Sequence, residues 1–315
     1  MTTATGVRIG WTDLPGKVRS AIEDLLGSPV VEAVSQPGGF SPGTADRVRT
    51  AAGTRAFVKA VGTAQNPASV DMHRREAAVT ARLPKEAAAP RLLGTYDDGE
   101  WVALVLEDVP GRHPHTPWQA GELATVLAAL RDLARRLTPS PVIDVPPAAD
   151  VLDFDLGGWK RIAADPPGNL DPWAEQHLDR LCALADRARA AIAGDTLVHL
   201  DVRADNLLVG PDGRVTLVDW PWACRGAAWV DTVLLLINVR LFGGQPADRL
   251  LAEHTPGVDP RDLTGVLAGM AGFFLDAARQ PDPPGLPTVR DFQRAQGVAT
   301  LAWVRERLDG ERADI

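Results

Sequence analysis

Hydrophobic and polar residues follow short-strand and helical periods in turn along this chain. Leu14, Val18, Ile22, Leu25 and Leu26 recur at helical spacing, with Thr12 or Asp13 as cap, Pro15 in the first turn and Gly27 as stop. Short apolar runs at 30–35, 46–50 and 55–61 predict strands, the last two joined by Ala52-Gly53-Thr54. A helix is predicted over 70–83. Strands follow at 92–96 and 101–106, around the hairpin turn Asp97-Asp98-Gly99-Glu100. Glu107-Asp108-Val109-Pro110-Gly111 interrupts the pattern and marks a boundary. The division expected is a first lobe over 1–107, a hinge over 108–112 and a second lobe over 113–315.

Beyond the boundary the period lengthens. Leu123, Val126, Leu127, Leu130, Leu133 and Leu137 form one stripe of a helix over 119–137. A proline-rich connector at 139–147 precedes a single long helix over 171–192, ended by Gly194, with His177 read as a face or core residue. Three apolar runs, 196–198, 207–209 and 215–218, then bracket a polar loop and the turn Pro211-Asp212-Gly213. Helices over 231–241, 261–279 and 288–308 complete the pattern.

Composition narrows the function. A chain of 315 residues is long enough for two cores, and 45% apolar residues describe a water-soluble protein. A formal charge of −8 argues against a nucleic-acid binder, which carries a basic face. No apolar run is long enough to cross a bilayer, because Asp231 interrupts the best candidate, and the opening residues have no leader pattern. Cys182 and Cys224 stand far apart in no metal-ligand spacing. A reducing, cytoplasmic setting is therefore expected. Residues 139–195 hold ten acidic against five basic side chains, a surplus that suits either a solvated surface or a wall facing a cationic substrate.

The candidate chemistry sits in three places. Gly38, Gly39, Phe40, Ser41 and Gly43 form a glycine-rich loop between two strands, where backbone N–H groups can lie over phosphates. Lys59 interrupts an apolar strand, and Glu76 follows seventeen residues later on a helix. His199-Leu200-Asp201-Val202-Arg203-Ala204-Asp205-Asn206 places Asp201 and Asn206 on a loop held by strands. Asp219 ends the last strand, thirteen residues after Asn206, so two carboxylates and an amide oxygen converge. Hard oxygens of that kind suit Mg2+ and phosphates, and a carboxylate beside them can accept a hydroxyl proton.

These residues, from about 30 to 231, resemble the aminoglycoside phosphotransferase family, a branch of the kinase-like superfamily. The resemblance implies an α+β, bilobal protein-kinase-like fold, with a small antiparallel-sheet N-lobe and a mainly helical C-lobe. It implies an enzyme that moves the γ-phosphoryl group of ATP or GTP, with Mg2+, to a hydroxyl of a small molecule. An aminoglycoside or other antibiotic is one candidate acceptor. A choline- or homoserine-type metabolite kinase and a non-catalytic nucleotide binder are the alternatives. Carried over, Asp201 is the catalytic carboxylate and Asn206 and Asp219 are the metal ligands. Lys59, fixed by Glu76, holds the α- and β-phosphates, and the backbones of Glu107 and Val109 meet the base. His199 is a scaffold residue, and Asp231 is either the family's structural aspartate or a helix cap.

Two departures stand out: Leu200 and Arg203 replace the family's frequent glycine and second histidine. Arg203 is expected to neutralise charge on the transferring phosphoryl group. Only eleven residues separate Asp219 from Asp231, without Ser, Thr or Tyr, which leaves no phosphorylated activation loop and disfavours a protein kinase.

Overall fold

The computed structural model describes residues 7–40 and 42–313. In chain order the strands are β1 (Val30–Ser35), β2 (Thr44–Thr50), β3 (Arg55–Gly62), β4 (Leu92–Asp97), β5 (Trp101–Glu107), β6 (Thr196–Val198), β7 (Leu207–Val209), β8 (Val215–Leu217) and β9 (Cys224–Gly226). The helices of the first half are α1 (Gly16–Leu26), α2 (Pro67–Thr80), α3 (Ala120–Arg136), α4 (Ala148–Val151), α5 (Asp153–Leu156) and α6 (Gly158–Ala164). Those of the second are α7 (Pro172–Gln176), α8 (Leu178–Ala191), α9 (Val230–Phe242), α10 (Ala247–His254), α11 (Pro260–Ala277) and α12 (Val289–Ala313). The chain forms two compact units. One takes the stretch ending at Pro114 together with Asp205–Ala223 and Asp282–Val289, and the other takes the rest.

The first unit is built on an antiparallel sheet in the order β1-β2-β3-β5-β4. Strand β5 is buried along Val102–Leu106 because both faces of the sheet are covered, and its alternate residues feed two cores. Val58, Ala60, Ala103 and Val105 pack with Leu14, Val18 and Ile22 of the α1 segment. Val61, Val102, Leu104 and Leu106 pack with Val70 of α2. Lys59 pairs with Leu104 and so shares the α2 face, by the two-residue period of a strand. Full burial of a side chain such as Ile22 contributes about 1.5–3 kcal/mol.

Gly27, at φ +70°, ends helix α1 as expected, but the helix departs from expectation at its start. Its cap is Pro15, without a side-chain bond, and the Asp13 carboxylate instead accepts from Gly10 N–H in the short turn Trp11–Asp13. Leu25 is exposed, so the buried stripe is Leu14, Val18 and Ile22. Helix α2 begins earlier than its apolar pattern suggests, since Asn66 caps Ser69 N–H at 2.9 Å and Pro67 opens the first turn.

In the second unit α11 packs along α8 and α6. Gly158 allows the closest approach: a Cβ there would lie 2.4 Å from the Gly272 backbone. The single helix expected over 171–192 is two, α7 and α8, broken at His177. Its ring Nδ1 lies 2.8 Å from the Trp173 carbonyl, and its N–H donates to Ala174, so the helical ladder is interrupted. Strand β9 pairs antiparallel with β6, which closes the base of the loop that follows β6.

Candidate active site

The first unit contains a cleft whose lining joins apolar side chains to a few charged groups, as small-molecule sites do. Of the residues singled out from the sequence, Gly38, Gly39, Lys59, Glu76, Glu107, Val109, Asn206 and Asp219 line it. Phe40 and Gly43 are not among its lining residues, and Ser41 lies outside the described residues. Arg8, Arg47, Phe57 and Trp220 also line the cleft, and no motif in the sequence points to them.

At its polar end, Lys59 Nζ donates to Glu76 Oε1 and Oε2 at 2.9 and 2.7 Å and to Asp219 Oδ1 at 2.8 Å. Burial alone would pull the Lys59 ammonium toward its neutral form, but Asp219 and Glu76 reverse this and hold its pKa above the ordinary lysine value. Burial raises Glu76, against the opposing pull of Lys59. One ammonium between two carboxylates leaves a formal charge of −1, which a bound cation would offset.

Asp219 is placed by the hairpin of β7 and β8, whose turn uses Gly213 at φ +78°. Val218 N–H donates to the Asn206 carbonyl at 3.0 Å, which ties the two candidate ligand residues together through the backbone. Asp219 itself lies at φ +69°, a conformation that Asp tolerates better than most residues. Asn206 is 4% exposed. An amide oxygen and a carboxylate are the hard donors that Mg2+ takes together with phosphate oxygens, so the donor set fits that ion. Among the described residues no cluster of three His, Cys, Asp or Glu could hold a metal unaided.

Gly38 and Gly39, which line the cleft, and Gly43, which does not, all have positive φ, at +91°, +75° and +95°. A Cβ at Gly43 would sit 2.2 Å from the Ala60 carbonyl, so this backbone runs closer to β3 than any side chain permits. At the other end, Arg47 donates to the Val109 carbonyl at 3.2 Å, and Arg55 pairs with Asp108 at 2.9 Å.

Asp201 and Arg203 belong to the second unit. Arg203 Nη1 donates to Asp201 Oδ1 at 2.6 Å, and its guanidinium lies over the Phe292 ring at 5.8 Å from the centroid. The loop that carries Asp201 hangs on α9. The Asp231 carboxylate accepts from His199 N–H at 2.8 Å and from Leu200 N–H at 2.9 Å. Two turns further along α9, Asn238 Oδ1 accepts from Ala204 N–H at 3.3 Å. Asp231 thus serves the loop, while the helix cap position is Trp229. His199 is fully buried, and its Nδ1 accepts from Asp201 N–H at 3.2 Å, which places its proton on Nε2. Leu200 has φ +67°, which gives a physical reason for glycine to be favoured there. Of the acidic surplus over 139–195, Asp153, Asp165 and Asp186 are paired with Arg189, Arg279 and Lys160. That pairing accounts for part of the surplus as surface.

Comparison with known proteins places this geometry. The phosphotransferase enzyme family matches residues 37–265, more than half of the chain. No curated protein matches it. Among solved structures, an aminoglycoside phosphotransferase from Alicyclobacillus acidocaldarius is 16% identical with a TM-score of 0.50, covering 94% of this chain and 97% of that one. Choline kinase LicA from Streptococcus pneumoniae is 14% identical with a TM-score of 0.57, covering 93% and 98%. A thermostable mutant of aminoglycoside phosphotransferase APH(4)-Ia, in a ternary complex with ADP and hygromycin B, is 15% identical with a TM-score of 0.52, covering 93% and 97%. At these identities the neighbours establish the fold, which is α+β and protein-kinase-like. No helix among the described residues is long and apolar enough to cross a membrane. The family match over the stretch that carries the glycine-rich loop, Lys59, Asp201 and Asp219 shows that this chain belongs to the phosphotransferase enzyme family.

Proposed function

We propose that this protein transfers the γ-phosphoryl group of ATP or GTP to a hydroxyl of a small molecule, with an aminoglycoside or another hydroxylated antibiotic as the leading acceptor class. The observation that carries this reading is the Lys59–Glu76–Asp219 cluster, closed at 2.7–2.9 Å inside a glycine-walled cleft. In this reading Lys59 binds the α- and β-phosphates and Glu76 keeps the ammonium aimed at them. The backbone of Gly38 and Gly39 supplies N–H groups, which glycine lets approach closely. Phe57 and Leu106 give the base apolar walls, while the backbones of Glu107 and Val109 meet its edge. The Val109 carbonyl accepts from Arg47, which holds this backbone in place for its N–H to meet the base. Asn206 and Asp219 would hold a magnesium ion, whose charge would offset that of the phosphates.

The acceptor hydroxyl oxygen bonds to the γ-phosphorus as the bond from that phosphorus to the bridging oxygen breaks, releasing the nucleoside diphosphate. Asp201 takes the hydroxyl proton. Arg203 holds the Asp201 carboxylate in orientation through its 2.6 Å bond, beyond any help it gives to charge on the phosphoryl group.

An acceptor screen with mass detection tests the proposal. Aminoglycosides, hygromycin B, choline and homoserine would each be incubated with magnesium and ATP or GTP. One acceptor class should gain a single phosphoryl group, at a rate that falls about 10²- to 10⁴-fold in Asp201→Asn. Transfer that survives that substitution at full rate would contradict the role given to Asp201.

A further inference from the structure

The polar end of the cleft holds a second cation, and it comes from outside every motif. Arg8 lines the cleft beside Gly38, Gly39, Lys59 and Asp219. Its guanidinium donates to the Gly38 carbonyl at 2.7 Å. A Cβ on Gly39 would lie only 2.9 Å from Arg8 Nη2, so a side chain there would crowd the space through which the arginine reaches the cleft. The backbone around Arg8 is fixed as well. Gly43 N–H donates to the Val7 carbonyl, Ile9 N–H donates to the Gly43 carbonyl, and Val7 N–H donates to Gly285. Arg8 therefore enters from beneath the glycine-rich loop, and Lys59 reaches the same end from β3. The carboxylates of Asp219 and Asp46 act on Arg8 and oppose the effect of its burial.

We propose that Arg8 is a phosphate-binding residue of this enzyme, contacting the β- and γ-phosphates of the nucleoside triphosphate from the N-terminal segment. The inference rests on the nucleotide-dependent reading above and adds a residue to it. In that reading Lys59, paired with Glu76 and Asp219, serves the α- and β-phosphates, so the γ-phosphate gains from a further positive charge. A guanidinium already partly withdrawn from water and held by a carbonyl is preorganised to supply it. Its planar fork can keep Gly38 on one N–H and bind phosphate oxygens with others. Such a contact discriminates by phosphate number, because a monophosphate lacks the β- and γ-phosphates that it would bind.

Equilibrium titration of wild type, Arg8→Met and Arg8→Lys with ATP and AMP, and with GTP and GMP, separates the outcomes. Arg8→Met is expected to weaken the triphosphate by about tenfold to a hundredfold while leaving the monophosphate within about twofold. Arg8→Lys should recover most of the loss, and thermal unfolding of each variant checks that it is folded. Equal weakening of tri- and monophosphate would assign Arg8 to loop shape alone and overturn the proposal, as would an unchanged triphosphate affinity. Failure of wild type to bind any nucleotide would overturn the proposed function itself, and this inference with it.

Discussion

His73 shows how strongly single groups feel this site. It lies one helical turn before Glu76, 2% exposed, and its pKa is driven down to about 3, first by burial and then by the charge of Lys59. The folded protein therefore holds His73 neutral where the unfolded chain protonates it, from the ordinary value of 6.5 downward. Its contribution is intact above 6.5 and is lost as pH falls toward 3, at about 1.4 kcal/mol per unit. Because burial raises Glu76 and Asp155 and so acts in the opposite sense over the same range, the prediction is a difference: between about pH 7 and about pH 5, urea midpoints of wild type should fall relative to those of His73→Gln by that slope. Equal slopes would mean that His73 titrates alike in both states. The ion pair beside it was legible in the sequence, because a lysine in an apolar strand and a glutamate seventeen residues on are unusual together. Arg8 was not legible. It lies thirty residues from the loop that it touches, in a segment without periodicity or motif.

At the scale of elements, α9 organises the loop around Asp201. Asp231 and Asn238 stand two turns apart on one face and accept three loop N–H groups between them. Replacing Asp231 with Ala would leave the buried N–H groups of His199 and Leu200 without their acceptor. Chemical denaturation should report a loss of about 2–4 kcal/mol. Asp231→Asn keeps one acceptor oxygen but turns an NH2 toward a donor, so it should fall between wild type and Asp231→Ala. A loss in Asp231→Ala no larger than that of an exposed helix substitution would remove this organising role. Periodicity found α3, α9 and α11 because each presents a long apolar stripe. It missed α4, α5 and α6, which are too short to show a repeat, and β9, whose Cys-Arg-Gly carries no strand pattern. It also joined α7 to α8, since the break comes from one side chain competing for a backbone carbonyl.

Taken whole, the chain joins a sheet-based unit that carries Lys59, Glu76, Asn206 and Asp219 to a helical unit that carries Asp201 and Arg203. The chain leaves the first unit after Pro114 and returns to it at Asp205, four residues past Asp201. Asp201 and Asn206 are therefore linked by a short tether of backbone, whichever acceptor is used. The order of the parts was readable because the chemistry fixes their spacing along the chain. The acceptor was not, because no comparable rule governs the helices after Asp231. The central claim is that this tether couples nucleotide cleavage to modification of a hydroxyl. The direct measurement is the ratio of nucleoside diphosphate released to phosphorylated acceptor formed, in wild type and Asp201→Asn, with nucleotide affinity measured alongside. The account predicts one-to-one coupling in wild type, and loss of both products in Asp201→Asn with nucleotide affinity kept within about twofold. Tight nucleotide binding in wild type without either product, across all acceptors, would contradict it and leave a nucleotide-binding protein that transfers nothing.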